Sequence, residues 1–169
     1  MRTGLLLSSL LIVIAVGGCK DSPAPGTPAV APAAAWLLAA MPTGAIPVSE
    51  AKQSAREGDQ VVVRGRIGGR RDPMNAEVAV FVMIDPAIPH CVIGVCKVPW
   101  DYCCETPESI TTNSATVQLV GDTGKPMNID LTKHALKPLD EIVVVGTVGP
   151  RPTEAVFVIH ARKIHRIAG

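Results

Sequence analysis

From residue 60 onward the chain is a succession of short apolar runs with a two-residue period, cut apart by glycine and proline, and no comparable stretch carries a helical period. In residues 60–67, Val61, Val63 and Ile67 fall on one face and Arg64 and Arg66 on the other, the pattern of a half-exposed strand. Residues 77–85 and 141–149 are apolar on both faces, as central strands are. Residues 116–120 and 127–131 alternate on either side of a turn at Gly121, Asp122, Thr123 and Gly124, so they predict a hairpin. Gly68, Gly69, Asp72 and Pro73 supply further turn chemistry, and residues 154–167 close the chain as a long final strand. Residues 49–57 differ: helix formers behind Ser49 as N-cap, with Gly58 at the stop position, predict one short helix. A chain of 169 residues with this pattern is expected to form one mainly antiparallel β domain.

The first part of the chain reads as an address. Met1 and Arg2 precede an apolar run at 5–16 broken only by Ser8 and Ser9. It is about a dozen residues long, short of the roughly 20 that a spanning helix needs, and it suits the apolar core of an export signal. Val16, Gly17, Gly18 and Cys19 follow, and this quartet resembles the lipobox of bacterial lipoproteins. The resemblance implies cleavage before Cys19 and a thioether-linked lipid on its sulfur. Residues 1–18 are then a signal peptide, and the mature chain is held on a membrane of the cell envelope, facing the periplasm or the exterior.

Residues 19–47 hold Pro23, Pro25, Pro28, Pro32, Pro42 and Pro47 among alanines. Proline at that density opposes continuous helix or sheet, so this stretch is expected to be a tether. Residues 33–41, apolar, free of proline and containing Trp36, are expected to be a partly ordered piece of it. The folded domain is then 48–169. Sixteen Lys and Arg stand against fifteen Asp and Glu, and loss of residues 1–18 removes Arg2, leaving a formally neutral protein. Counterion-driven nucleic-acid binding is therefore disfavoured.

Two segments echo one another: residues 58–67, with Val61, Val62, Val63 and Gly65, and residues 139–148, with Val143, Val144, Val145 and Gly146. Here the chain resembles the OB-fold, specifically small exported bacterial OB domains whose first and fourth strands carry such a pattern. A glycine inside a strongly coiled strand permits the bend that closes five strands into a small barrel. The resemblance implies a five-stranded OB-fold-like barrel over about 48–167, with residues 131–139 in the place of the helix between the third and fourth strands. Pro138 limits that helix to about two turns.

One region exceeds what a barrel needs. Residues 86–112 form a long insertion with Cys91, Cys96, Cys103 and Cys104, and connections longer than about 12–15 residues usually mark function or need staples. With Cys19 carrying lipid, four cysteines remain in an oxidising compartment, which favours two disulfides. Adjacent α-carbons are about 3.8 Å apart, below the ordinary disulfide range, so each of Cys91 and Cys96 is expected to pair with one member of the Cys103–Cys104 doublet. Zinc or copper held by the same thiols, with His90, ranks below disulfides because no C-x2-C unit is present. A redox-active pair ranks lower still. The run 98–105 also resembles a segment of exported OB-type proteins of planctomycete-type bacteria, a family that brings no activity with it. Trp100, Asp101 and Tyr102 in that run are candidate contact residues. Packing of Trp100 and Tyr102 on the disulfides as a small core is the favoured alternative.

No catalytic constellation stands out: the chain has no G-x-S-x-G, no H-E-x-x-H and no phosphate-binding glycine loop. His160 and His165 are five apart on a strand and face opposite ways unless a bulge intervenes. The arginines at 64, 66, 70 and 71 and the cations Arg162, Lys163 and Arg166 read as solvated barrel face. Phe81 and Phe157 are expected in the core rather than as stacking platforms. The sequence thus predicts a non-catalytic, envelope-anchored binding or scaffolding module, without metal or cofactor, whose stapled loop meets an envelope protein or a small ligand. A periplasmic metal-binding or thiol-redox protein is the alternative, and OB-type nucleic-acid binding the second.

Overall fold

The computed structural model of the chain describes residues 34–134 and 136–168. The export segment, Cys19 and the first part of the tether lie outside the described residues. Five strands form a closed barrel, as the alternation and the paired glycines predict. Strand β2 (Gln60–Ile67) pairs antiparallel with β5 (Glu141–Val148) from Gln60 opposite Thr147 to Arg66 opposite Glu141. On its other side β2 meets β3 (Val80–Ile84), β3 pairs with β4 (Ser114–Leu119), β4 runs parallel to β6 (Val158–Arg166), and β6 returns antiparallel to β5. The circuit β2-β3-β4-β6-β5-β2 closes the sheet and leaves no long edge. Val61, Val63, Ile67, Phe81, Met83, Val117, Leu119, Ile142, Val144, Ile159 and Ile164 fill its interior.

Of the echoing glycines, Gly65 faces the Met83 side chain and Gly146 a close backbone approach. Gly146 lies opposite Val61 and beside the register shift between β5 and β6. A β-carbon there would overlap the carbonyl oxygen of His160 and the α-carbon of Ala161. The shift leaves Arg162 as the extra residue on β6, so Ile159, Ala161 and Ile164 all face inward while His160 and His165 both lie outside.

The expected hairpin partner at 127–131 does not form a strand. The turn itself closes as expected, with Gly121 donating to Lys125, Met127 donating to Leu119 and Val120 bridging Pro126, but the rest of β4 has β3 on one edge and β6 on the other, so pairing of the 127–131 segment stops there. Its alternation records burial instead: Met127 and Ile129 pack against the core, and Leu131 is buried at the start of a single 3-10 turn (Leu131–His134) in the predicted helix position. The predicted strand 77–85 begins late because the Asn75 side chain accepts from the amides of Glu77 and Val78, making a turn.

Helix α1 (Val48–Ser54) follows a two-residue strand β1 (Ile46–Pro47) that runs parallel to β2. Ser49 is not its N-cap. Pro47 holds that position, and Ser49 donates from both amide and hydroxyl to Asp85 at the end of β3, at 3.0 and 2.6 Å. The tether assignment also changes from Ala34 on. Trp36 is buried, stands edge-on to His134, and its carbonyl accepts from Ile164, while Leu38 donates back to Ile164. Residues 34–47 thus belong to the domain, because β6 runs on past the end of its pairing with β4 at Ala161 and leaves the backbone groups of Ile164 for this apolar stretch to satisfy.

Candidate metal centre

Residues 86–112 leave the barrel at Asp85, and this carboxylate starts the loop. It is buried, with one oxygen on Ser49 and the other accepting from Ala87 at 2.9 Å. Burial raises its pKa, but the hydrogen bonds from Ser49 and Ala87 outweigh that and hold the carboxyl below its ordinary value. The loop ends in a short helix, α2 (Pro107–Thr112), whose first turn is capped by the Thr106 hydroxyl.

Between these ends the loop is seated on the Gly68–Gly69 turn after β2. The Gly69 amide donates to the Trp100 carbonyl, and the Trp100 indole donates to the Arg71 carbonyl, both at 2.9 Å. A β-carbon on Gly68 would stand 2.9 Å from both the Trp100 carbonyl oxygen and Cε2 of Tyr102. Tyr102 is fully buried, whereas Trp100 and Asp101, the other two candidate contact residues, are half-buried. The packing alternative holds for Tyr102, although its seat is the barrel and not a pair of disulfides. Arg66 completes the seat, donating to Glu141 at 2.8 Å, to the Ile88 carbonyl at 3.3 Å and to the Tyr102 hydroxyl at 3.4 Å. Arg64 joins it on Glu141 at 2.6 Å. Arg66 is therefore a loop fastener, whereas Arg64 lies on the solvated face as expected and shares its carboxylate.

Tyr102 adopts a φ of 57°, left-handed for a side chain with a β-carbon. The Glu105 amide donates to its carbonyl at 2.9 Å and closes a tight turn. That reversal folds Cys103 and Cys104 back toward Cys91. Opposite them, residues 92–96 form a knuckle: the amides of Val95 and Cys96 both donate to the Val92 carbonyl, and Gly94 takes the left-handed position at φ 88°. The knuckle returns Cys96 to the same place.

All four thiols are free, and their sulfurs all lie within 4.8 Å of one another. Cys91 Sγ is 3.7 Å from Cys103 Sγ and 3.6 Å from Cys104 Sγ. The expected pairing of Cys91 and Cys96 with separate members of the doublet is not made. Cys91 sits almost equally far from both, so the geometry is one cluster of four rather than two pairs. His90 is not part of it, since its Nδ1 meets the Cys91 carbonyl at 2.8 Å. Asp101 faces the cluster, its Oδ1 accepting from the Cys103 amide at 3.0 Å.

The thiols divide in acidity. Burial raises the Cys91 pKa, but hydrogen bonds from the Cys104 amide and from the thiols of Cys104, Cys103 and Cys96 lower it further, so Cys91 is the group that ionises first. Cys103 is pushed up to about 11, chiefly by its hydrogen bond to Cys91 and then by Asp101. Cys96 is raised mainly by burial, and Cys104 mainly by its hydrogen bond to Cys91. One thiolate shared among three thiols is what like charges at this spacing allow without a cation. A soft divalent ion would supply the missing charge, and four sulfur donors suit zinc best.

Sequence reasoning found the four cysteines and the alternative of a common metal. It missed Asp85, Arg66 and the Gly68 seat. Arg66 carried no signal beyond its place on the polar face of β2, and Gly68 read as ordinary turn chemistry.

No protein-family model matches the chain, and no curated protein matches it. Among solved structures, a protein assigned as an aspartyl-tRNA synthetase from Leishmania major Friedlin aligns with a TM-score of 0.44 at 16% identity, over 80% of this chain and 23% of that one. The hypothetical protein ygiW from E. coli aligns with a TM-score of 0.35 at 16% identity, over 75% of this chain and 94% of that one. The chain spans under a quarter of the synthetase, at 23% of its length.

Proposed function

We propose that this chain is a non-catalytic, lipid-anchored envelope module whose barrel carries a structural zinc–thiolate centre at Cys91, Cys96, Cys103 and Cys104. One observation carries the metal reading: the sulfur separations of 3.6 and 3.7 Å. Zinc–sulfur bonds of about 2.3 Å arranged tetrahedrally place sulfurs about 3.8 Å apart, whereas a disulfide needs about 2.05 Å. The metal would staple a loop that has little core of its own and hold its outer turn rigidly against the barrel. The ligand set is closed, with four protein sulfurs and no open position, which suits structure rather than chemistry on a substrate.

The anchor at Cys19 and the envelope address come from the lipobox resemblance alone. Nucleic acid remains disfavoured as a partner: Arg64 and Arg66 are engaged with Glu141, and Phe81 and Phe157 are buried. The test is metal and thiol stoichiometry on the full chain, purified without reductant or chelator. One zinc per chain, replaceable by cobalt with thiolate-to-cobalt charge-transfer absorption, is the expected result. Two disulfides and no metal in intact-mass measurement would overturn it and restore the covalent staples.

A further inference from the structure

Among the described residues, the large apolar side chains left exposed are Met41 and three from a single turn: Val92, Ile93 and Val95, at 65, 66 and 78% exposure. They surround Gly94, at which a β-carbon would meet nothing within 4 Å. The turn is stiff, since Val95 and Cys96 both donate to the Val92 carbonyl at 3.2 and 3.0 Å and Ile93 bridges Cys96. Its two ends, Cys91 and Cys96, belong to the thiol cluster. Nothing in the domain's own packing accounts for a convex aliphatic knob held this firmly in water.

The chemistry of the knob narrows what covers it. Three side chains on one turn are far smaller than the roughly 800 Å² per partner of a stable protein interface. They also lack the Trp, Tyr and Arg anchors that carry such contacts. A groove of about 760 Å³ that a second copy would present is lined by Lys52, Arg56, Arg151 and Glu154 beside Ala55 and Ala155, so an aliphatic tip entering it would meet charged side chains. A bilayer needs no socket. The turn satisfies part of its backbone internally, which limits the cost of entering an apolar layer. Lys97 follows immediately and is exposed, placed to meet anionic head groups as the tip enters.

We propose that the turn at residues 92–95 is a membrane-contact tip, which inserts Val92, Ile93 and Val95 into the interfacial layer of a phospholipid bilayer. The tip rests on the metal reading in one respect, that zinc at the cluster would fix both of its ends.

The experiment measures depth rather than binding, because the apolar segment at 5–16 can itself hold the chain on lipid. Full-length protein carrying Ile93→Trp is mixed with phosphatidylcholine–phosphatidylglycerol vesicles whose acyl chains are brominated. Gln53→Trp, at an exposed position of α1, is the control, and the unsubstituted chain gives the background of Trp36 and Trp100. Bound zinc is assayed in every sample. The expected result is a blue shift and at least two-fold quenching at position 93 and none at position 53, with the effect removed by adding Val95→Asp. Zinc-loaded protein that is unquenched at position 93 overturns the tip and leaves the metal centre standing. Quenching without zinc supports the tip and overturns the metal reading. An emission shift that follows protein concentration and ignores lipid assigns the knob to a second copy, and overturns the proposal.

Discussion

Gly68 and Tyr102 compete for the same space: a β-carbon on the first would stand 2.9 Å from the ring of the second. Tyr102 is fully buried and left-handed, and it lies next to the Cys103–Cys104 doublet in the chain. The glycine is thus what lets the cysteine loop sit on the barrel. Gly68→Ala is expected to destabilise the protein by about 1–3 kcal/mol, the usual cost of overpacking, and to weaken zinc binding. Chemical denaturation and a competitive zinc titration check both, and unchanged zinc affinity would detach the seat from the metal centre.

Arg66 offers a gentler probe of the same coupling. Tyr102→Phe removes a hydroxyl at 3.4 Å from its guanidinium while keeping the ring, and Arg66 retains Glu141 and the Ile88 carbonyl. The expected loss is about 1 kcal/mol or less. Glu141→Gln acts more strongly because it takes the shared carboxylate from Arg64 and Arg66 together. The order Glu141→Gln worse than Tyr102→Phe, read from denaturation midpoints, is the prediction.

Acid should loosen the loop at its first residue. Asp85 has a folded pKa below its unfolded value, so its stabilising contribution is complete above the unfolded value of about 3.9. It is lost as pH falls through the lower folded value. Asp85→Asn is therefore expected to lower the Tm at pH 7, at a cost of about 1–3 kcal/mol for hydrogen bonds to a charged group. The gap between variant and parent should narrow below about pH 4. A gap constant from pH 7 to pH 2 would remove Asp85 from the acid response.

Much of this architecture was legible because period and burial coincide where a strand has room to pair. β2 spans the predicted residues 60–67, and Gly146 marks the bend expected of it, at the register shift between β5 and β6, whereas Gly65 leaves room for the Met83 side chain. Residues 127–131 carry the same alternation but pair with the end of β4 only at Met127, because along its length β4 has β3 and β6 on its two edges. The placement of residues 34–38 along β6 was equally hidden, since it depends on where β4 stops pairing with β6 and leaves Ile164 on an open edge. At the cysteines, residue type was legible and partnership was not. Spacing along the chain cannot reveal that Tyr102 reverses direction and brings two adjacent sulfurs to one third sulfur.

The zinc reading also predicts what happens when metal is withdrawn. The five strands close through backbone pairing that involves no cysteine, and the apolar cluster inside the barrel holds none of the four thiols, Cys91 being buried within the loop. A chelator should therefore melt the loop and spare the barrel, unlike small zinc fingers that unfold entirely without metal. Limited proteolysis of chelated protein is expected to cut within residues 86–105, while far-ultraviolet circular dichroism keeps its β signal. Reloading should also release protons, roughly three to four per zinc near pH 7, because thiols such as Cys103, at about 11, enter the site protonated. Fewer than one proton released, measured with a pH indicator in weak buffer, would mean that the cysteines are not the ligands. Loss of the whole β signal on chelation would instead make the metal part of the barrel's own stability, and the loop would no longer be a separable attachment.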